Sequence, residues 1–244
     1  MTPALVVASV SHQFGGVKAL DDVSLTVERG SFTALLGVNG AGKSTLFALI
    51  TRLFDNVTGE IRVCGNDVRR ESGPALAQLG IVFQSRALDA DLTVAQNLAY
   101  HAALHGMAPE AARARTTEVL AQVDLADRRA ARVATLSGGQ VRRAEIARAL
   151  MHGPRLLLLD EATVGLDVQS RREVVRLVRA LAATEGVGVL WATHLFDEVE
   201  PSDPVVLLHM GRVLATGSAA EIAAGEGLAE RFLGLTGGAG RDAA

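Results

Sequence analysis

One stretch restricts this chain more than any other: Gly37-Val38-Asn39-Gly40-Ala41-Gly42-Lys43-Ser44, preceded by the apolar run Phe32–Leu36 and followed by a helical pattern through about Leu53. It fits G-x-x-x-x-G-K-[ST], and the strand-before, helix-after context is the one that the mechanism of that pattern requires. Glycines let the backbone turn tightly enough for successive N–H groups and the helix N-terminus to face phosphate oxygens. A lysine adds a point charge toward the β- and γ-phosphates, and the hydroxyl after it can ligate Mg²⁺. The chain holds only two lysines, Lys18 and Lys43, its other basic residues being arginine. A chance match at that position is correspondingly improbable. Gly37, Asn39, Gly40, Ala41, Gly42, Lys43, Ser44 and Thr45 are the nucleotide-binding candidates.

A phosphate loop alone does not separate kinases, GTPases and ATPases. Downstream, Arg155-Leu156-Leu157-Leu158-Leu159-Asp160-Glu161 is an apolar strand ending in two acids. Carboxylates at the end of a buried strand are costly unless something pairs with them. Asp160 facing Mg²⁺ removes that cost, and Glu161 is then placed to polarise an attacking water. A helix N-cap with a salt bridge is the plainer alternative, and it loses ground with a phosphate loop upstream.

The rest of the chain suits that chemistry. Short β-type runs occupy Leu5–Val10, Val23–Val27, Glu60–Cys64, Gly80–Phe83 and Val187–Trp191, with two more near 204–208 and 212–216. Between about 89 and 152 apolar residues recur at helical spacing among Arg and Glu, which reads as an inserted helical subdomain. Another helix is expected over about 169–183 and a small helical tail after the last strand. The expected fold is α/β, a P-loop NTPase core with a mixed, largely parallel sheet, an N-terminal antiparallel β subdomain and the helical insertion. Residues 1–235 read as one domain, and the Gly-rich 236–244 as a disordered tail.

Hydrophobic residues make up 49% of the chain, yet runs such as Leu156–Leu159 and Val205–Leu208 fall far short of the roughly 20 residues of a membrane span. The N-terminus lacks the basic start and cleavage pattern of a secretory signal. The single cysteine, Cys64, has no internal partner, which agrees with a reducing compartment. A net charge of −3 argues against a nucleic-acid partner.

Leu136-Ser137-Gly138-Gly139-Gln140 ends 20 positions before Asp160. A Ser N-cap and two glycines opening a helix over 140–152 make a second anion site. These five residues resemble the signature motif of ATP-binding-cassette (ABC) proteins, matching the family consensus throughout, and the resemblance extends over nearly the whole chain. It implies that two nucleotide-binding domains pack head to tail, the Lys43 loop of one copy and the Ser137 loop of the other gripping one ATP. It implies further that Phe14 stacks on adenine and that Gln84 reaches Mg²⁺ and the attacking water. Asp167, in Gly165-Leu166-Asp167, would lie on the loop that crosses the dimer interface, and His194 would contact γ-phosphate and hold the water with Glu161. Catalysis is thus assigned to Glu161, His194 and Gln84, metal binding to Ser44, Gln84 and Asp160. The other histidines, His12, His101, His105, His152 and His209, read as surface or structural. Ala162 stands where the family commonly has Pro, a change that removes no catalytic group.

The function implied is an ATP-hydrolysing subunit at the cytoplasmic face of the inner membrane, driving a separate multi-spanning subunit docked near Gln84 and Ala87–Leu98. Gln84–Asp89, Leu92-Thr93-Val94, Asn97-Leu98 and His105-Gly106-Met107 resemble the exporter branch that handles drugs, polysaccharides and nodulation factors. Glu161–Asp167 and Trp191–His194 are similar to ATPases found with bacterial quinoprotein alcohol oxidation. Two other readings stand beside export: an importer ATPase, and a soluble cassette ATPase of an assembly pathway such as iron–sulfur cluster biogenesis. DNA-repair members need long coiled-coil insertions for which the chain has no heptads, and a P-loop kinase or GTPase leaves Leu136–Gln140 unexplained.

Overall fold

The structure, a computed structural model, describes residues 2–238. The chain opens with β1 (Leu5–Phe14) and β2 (Val17–Val27), then β3 (Phe32–Leu36), α1 (Lys43–Ile50), β4 (Thr58–Val63), β5 (Asn66–Asp67), α2 (Ser72–Leu76) and β6 (Leu79–Val82). A helical stretch follows: α3 (Val94–Leu104), α4 (Pro109–Gln122) and α5 (Gly138–Leu150). The chain then returns to alternation with β7 (Leu156–Asp160), α6 (Val168–Glu185), β8 (Gly188–Thr193), β9 (Pro204–His209) and β10 (Arg212–Ser218), and ends in α7 (Ala219–Ala223) and α8 (Leu228–Gly238). The tail expected to lack structure from 236 begins inside α8, and its remainder lies outside the described residues.

Two sheets result. One is antiparallel, in the order β2-β1-β4-β5; the other runs β10-β9-β3-β8-β7-β6, parallel throughout except for the β10–β9 pair. The mixed, largely parallel sheet and the antiparallel N-terminal sheet are those expected. Every residue of β3, β7 and β8 is buried, the mark of strands covered on both faces. Alternate side chains go to opposite cores. Leu157 and Leu159 join α3–α6, whereas Leu156 and Leu158 join Leu46, Phe47, Leu49 and Ile50 of α1. Packed also on Leu5, Val7 and Leu20 of the first sheet, α1 is clamped between the two sheets. Truncating any of these leucines to Ala should cost about 2–5 kcal/mol.

Several boundaries differ from expectation for local reasons. The first helix stops at Ile50 rather than Leu53: Thr51 Oγ1 turns back to the Phe47 carbonyl at 2.8 Å, and Arg52 takes a left-handed φ of 62°. Helix α5 starts at Gly138, not 140, and ends at Leu150, because Ser137 is its N-cap. Strand β6 ends at Val82 instead of running to Phe83, since Arg142 takes the Phe83 and Gln84 carbonyls at 2.7 and 3.2 Å and turns them out of the ladder. Among the described residues no helix is long and apolar enough to cross a membrane.

Candidate nucleotide site

The parallel strands β3, β8, β7 and β6 are neighbours, so their C-terminal ends share one edge of the sheet, where open α/β sheets place ligands. Residues 37–42 leave β3 there, Asp160 and Glu161 end β7, His194 follows β8, and Gln84 lies just past β6. Four sequence-distant segments meet because the register of one sheet brings them together.

The phosphate loop is tied down on its far side. Gly211, in the β9–β10 turn, donates its N–H to the Ala41 carbonyl at 2.9 Å and accepts from Asp21 N at 2.8 Å. Gly42 is the N-cap of α1 with φ 109°, and a Cβ there would come within 2.8 Å of both the Ala19 carbonyl and Leu20. Only glycine fits this turn. The eight-residue α1 starts with no acid in its first turn, leaving its positive end uncompensated.

Lys43 is buried at the head of that helix. Its Nζ donates to the Gly37 and Val38 carbonyls at 2.7 and 3.3 Å and lies 3.3 Å from Glu161 Oε1. Glu161 is the hub: His194 Nδ1 lies 3.2 Å from Oε1, and Gln84 Nε2 donates to Oε2 at 3.3 Å. The backbone at Glu161 adopts a left-handed φ of 47°, which for a non-glycine costs about 1–2 kcal/mol. Its N–H is held by the Ala192 carbonyl of β8 at 2.9 Å, so the neighbouring strand enforces the turn that aims the carboxylate.

Asp160 is also buried. Ser44 Oγ donates to its Oδ2 at 3.2 Å, while Oδ1 has no partner among the described residues. Burial raises the Asp160 carboxyl above the usual range, and the Ser44 hydrogen bond opposes it only partly. A buried carboxylate oxygen without a partner, beside an exposed serine hydroxyl, is a donor set of oxygens suited to a hard divalent cation.

A cavity of about 590 Å³ collects these groups: Asn39 to Thr45, Gln84 and Glu161 line it, with Val17, Lys18, Ala19, Met210 and Gly211. The last five were not among the candidates; the hairpin tip and the β9–β10 turn reach the loop only through the fold. Another cavity of about 580 Å³, between the sheets, carries no titratable lining residue. Phe14 does not line the first cavity. It ends β1 at the hairpin, 47% exposed, with its ring edge-on to His12 and Phe54 at 4.6 and 5.4 Å.

None of Leu136–Gln140 lines the Lys43 cavity either. Ser137 caps α5 in a reciprocal box with Gln140, Ser137 Oγ accepting from Gln140 N at 3.3 Å and Gln140 Oε1 from Ser137 N at 3.0 Å. Gly139 faces α6, where a Cβ would meet Ser170 Oγ at 2.9 Å. Asp167 is exposed as the N-cap of α6, its carboxyl held low by hydrogen bonds from Ser170.

Residues 20–164 match the family model described as ABC transporter. The chain belongs to the ABC transporter family. It is 39% identical over 225 residues to the daunorubicin resistance ATP-binding protein DrrA3 of Streptomyces coeruleorubidus, covering 92% of this chain and 71% of that one. To the linearmycin resistance ATP-binding protein LnrL of Bacillus subtilis it is 35% identical, over 88% of this chain and 69% of the relative. The sulfate/thiosulfate import ATP-binding protein CysA of Synechococcus elongatus is 42% identical, over 88% of this chain but 63% of the relative. The fold superposes on cbiO1 of Clostridium perfringens, part of the ABC transporter complex cbiONQ, with a TM-score of 0.85 and 28% identity over 96% of this chain and 95% of that one. This is an ATP-binding, ATP-hydrolysing cassette of a transporter.

Proposed function

We propose that two copies of this ABC ATPase close head to tail around two ATP molecules and drive a separate membrane-spanning subunit at the cytoplasmic face of the inner membrane. The observation that carries the catalytic part is the Glu161 carboxylate, within 3.3 Å of Lys43, Gln84 and His194 at the mouth of the phosphate loop.

In this reading the loop amides from Gly37 to Gly42, with Asn39 and Ala41 between, cradle the phosphates, and Lys43, Ser44 and Thr45 complete the grip. Lys43 releases Glu161 as it turns to the β- and γ-oxygens. Freed of that cation, Glu161 orients a water and accepts its proton, and His194 fixes the water and the γ-phosphate from the other side. Gln84 monitors the same water. Ser44, Asp160 and Gln84 would hold Mg²⁺, which supplies charge neutralisation at the phosphate oxygens. Phe14 offers an exposed ring face at the hairpin for the adenine.

The second copy is invoked because the Ser137 helix end, an anion site by its geometry, does not line its own chain's Lys43 cavity. Supplied in trans, it adds contacts that only a γ-phosphate completes, so ATP favours the closed pair through differential affinity. Asp167 would face the partner copy across that closure. Phe83, and Tyr100 and Leu104 of α3, expose apolar surface on the side where a membrane subunit would dock.

The direction we propose is outward. The daunorubicin- and linearmycin-resistance relatives support it; the import relatives make the opposite direction the rival. Glu161→Gln should bind ATP, pair into stable dimers and turn over about 10²–10⁴-fold more slowly; wild-type turnover would remove Glu161 from its role. Reconstituted with its membrane subunit in inside-out vesicles, an exporter accumulates substrate inside on ATP addition, and ATP-driven loss of preloaded substrate would reverse the direction.

A further inference from the structure

Away from the ATP edge, near the N-terminal ends of β6 and β7, three imidazoles gather. His101 and His105 lie one turn apart on α3, His105 being its C-cap, and His152 follows the end of α5. One ring nitrogen from each lies within 4.8 Å of the other two. The rings of His105 and His152 stack nearly parallel at 3.9 Å, and His101 sits 4.6 and 5.8 Å from them.

The cluster is more than a packing motif, because two of its nitrogens are buried without a partner among the described residues: His101 Nε2 and His152 Nδ1. Each orphan of this kind is a polar atom taken out of water without the hydrogen bond it had there. His152 is arranged as a ligand. Its Nε2–H donates to the Leu79 carbonyl at 3.0 Å, which fixes the tautomer and leaves the Nδ1 lone pair pointing inward. A backbone carbonyl behind the ring is the support that metal-bound imidazoles characteristically have. Histidines one helical turn apart, as at 101 and 105, share a face and can hold one ion.

We propose that His101, His105 and His152 form a three-imidazole site for a divalent transition ion of the Zn²⁺, Ni²⁺ or Cu²⁺ class, tying α3 to the α5–β7 connection. Among the described residues no carboxylate belongs to the cluster, so hard Mg²⁺ and Ca²⁺ are excluded on ligand chemistry. Burial holds His101 and His152 down to about 4, which keeps both neutral and able to ligate at neutral pH. A tetrahedral Zn²⁺ at ~2.0–2.1 Å from each nitrogen sets them ~3.3 Å apart, so the cluster must contract by at most about 1.5 Å. Exposed His105 can supply its share of that movement by swinging out of its stack, and the rings of His101 and His152, 5.8 Å apart, must also close. Arg148 and Arg115, whose charges reach the cluster, weaken the site for any cation and favour an anion or hydroxide in the open fourth position.

The test is titration of the tag-free protein with Zn²⁺ in millimolar Mg²⁺, with Co²⁺ absorption as a geometric readout. One equivalent should bind per chain with tetrahedral Co²⁺ bands. His105→Ala, an exposed substitution whose folding ATP binding verifies, should weaken Zn²⁺ at least about tenfold, as should His152→Ala. No stoichiometric binding, or binding that His101→Ala, His105→Ala and His152→Ala each leave within twofold, overturns the site. Lys43→Ala should leave Zn²⁺ affinity unchanged, and loss of Zn²⁺ binding in that variant would move the metal to the nucleotide edge and equally overturn it.

Discussion

Helix α5 carries a buried ion pair whose removal tests how the Gln84 segment is held. Arg142 and Glu145 are 6% and 1% exposed, with Arg142 Nη1 2.7 Å from Glu145 Oε2. Arg142 also donates to the Phe83 and Gln84 carbonyls, and Glu145 Oε1 accepts the Ala87 N–H at 2.9 Å. Glu145→Ala would strand a buried guanidinium and an amide together. Breaking one partner of a buried pair costs about 3–5 kcal/mol. For a chain of this size each kcal/mol shifts Tm by about 2–4 °C, so a drop on the order of 10 °C is expected. Glu145→Gln keeps an acceptor for Ala87 and should cost roughly half as much. Calorimetry would measure both, and ATP turnover on the folded fraction would show kcat falling more than ATP affinity, because Gln84 loses its anchor while Lys43 keeps its loop. A Tm within about 2 °C of wild type for Glu145→Ala would mean that the substitution leaves no buried charge unpaired, and that Glu145 does not hold Arg142 in place.

Lys43→Ala should lose ATP affinity in an equilibrium titration while circular dichroism shows the chain folded, because its ammonium contacts only loop carbonyls and Glu161. Ser137→Arg should leave ATP binding by the single chain intact and abolish turnover; retained turnover would mean that the Ser137 loop does not meet nucleotide. Trp191→Phe removes the Nε1 donor to Glu198 Oε2 at 3.0 Å in a fully buried setting. It should lower stability by about 1–3 kcal/mol from the stranded carboxylate oxygen alone, read as a shifted urea midpoint by circular dichroism.

Much of this architecture is legible in the residues because the forces are local. Gly37–Ser44 declares its turn and helix start, and Leu156–Asp160 is apolar enough to be covered on both faces. Asp160 and Glu161 stand out as acids where a strand should stay dry. What could not be read depends on neighbours far along the chain. Strand β6 stops early because Arg142, nearly sixty residues later, captures the two carbonyls that follow it. His101 and His152 look like scattered surface histidines until α3 and the end of α5 are packed together. Val17 and Met210 reach the nucleotide cavity only once the first sheet and the β9–β10 turn close over α1.

The placement of these groups makes α5 a lever. Its N-cap is Ser137, its second turn grips the Gln84 segment through Arg142 and Glu145, and His152 lies just beyond its last residue. A helix of 13 residues is about 20 Å long and does not bend easily, so these contacts move together. Any shift of the Gln84 backbone toward or away from Glu161 must therefore either break two Arg142 hydrogen bonds or swing Ser137 with it. Breaking them in a buried setting leaves both carbonyls and a charge unsatisfied, which is the more expensive course. Swinging the helix requires only that α5 slide on the sheet. In the head-to-tail pair proposed above, chemistry at Glu161 in one copy would in this way be mechanically joined to the phosphate contact that the same copy offers its neighbour.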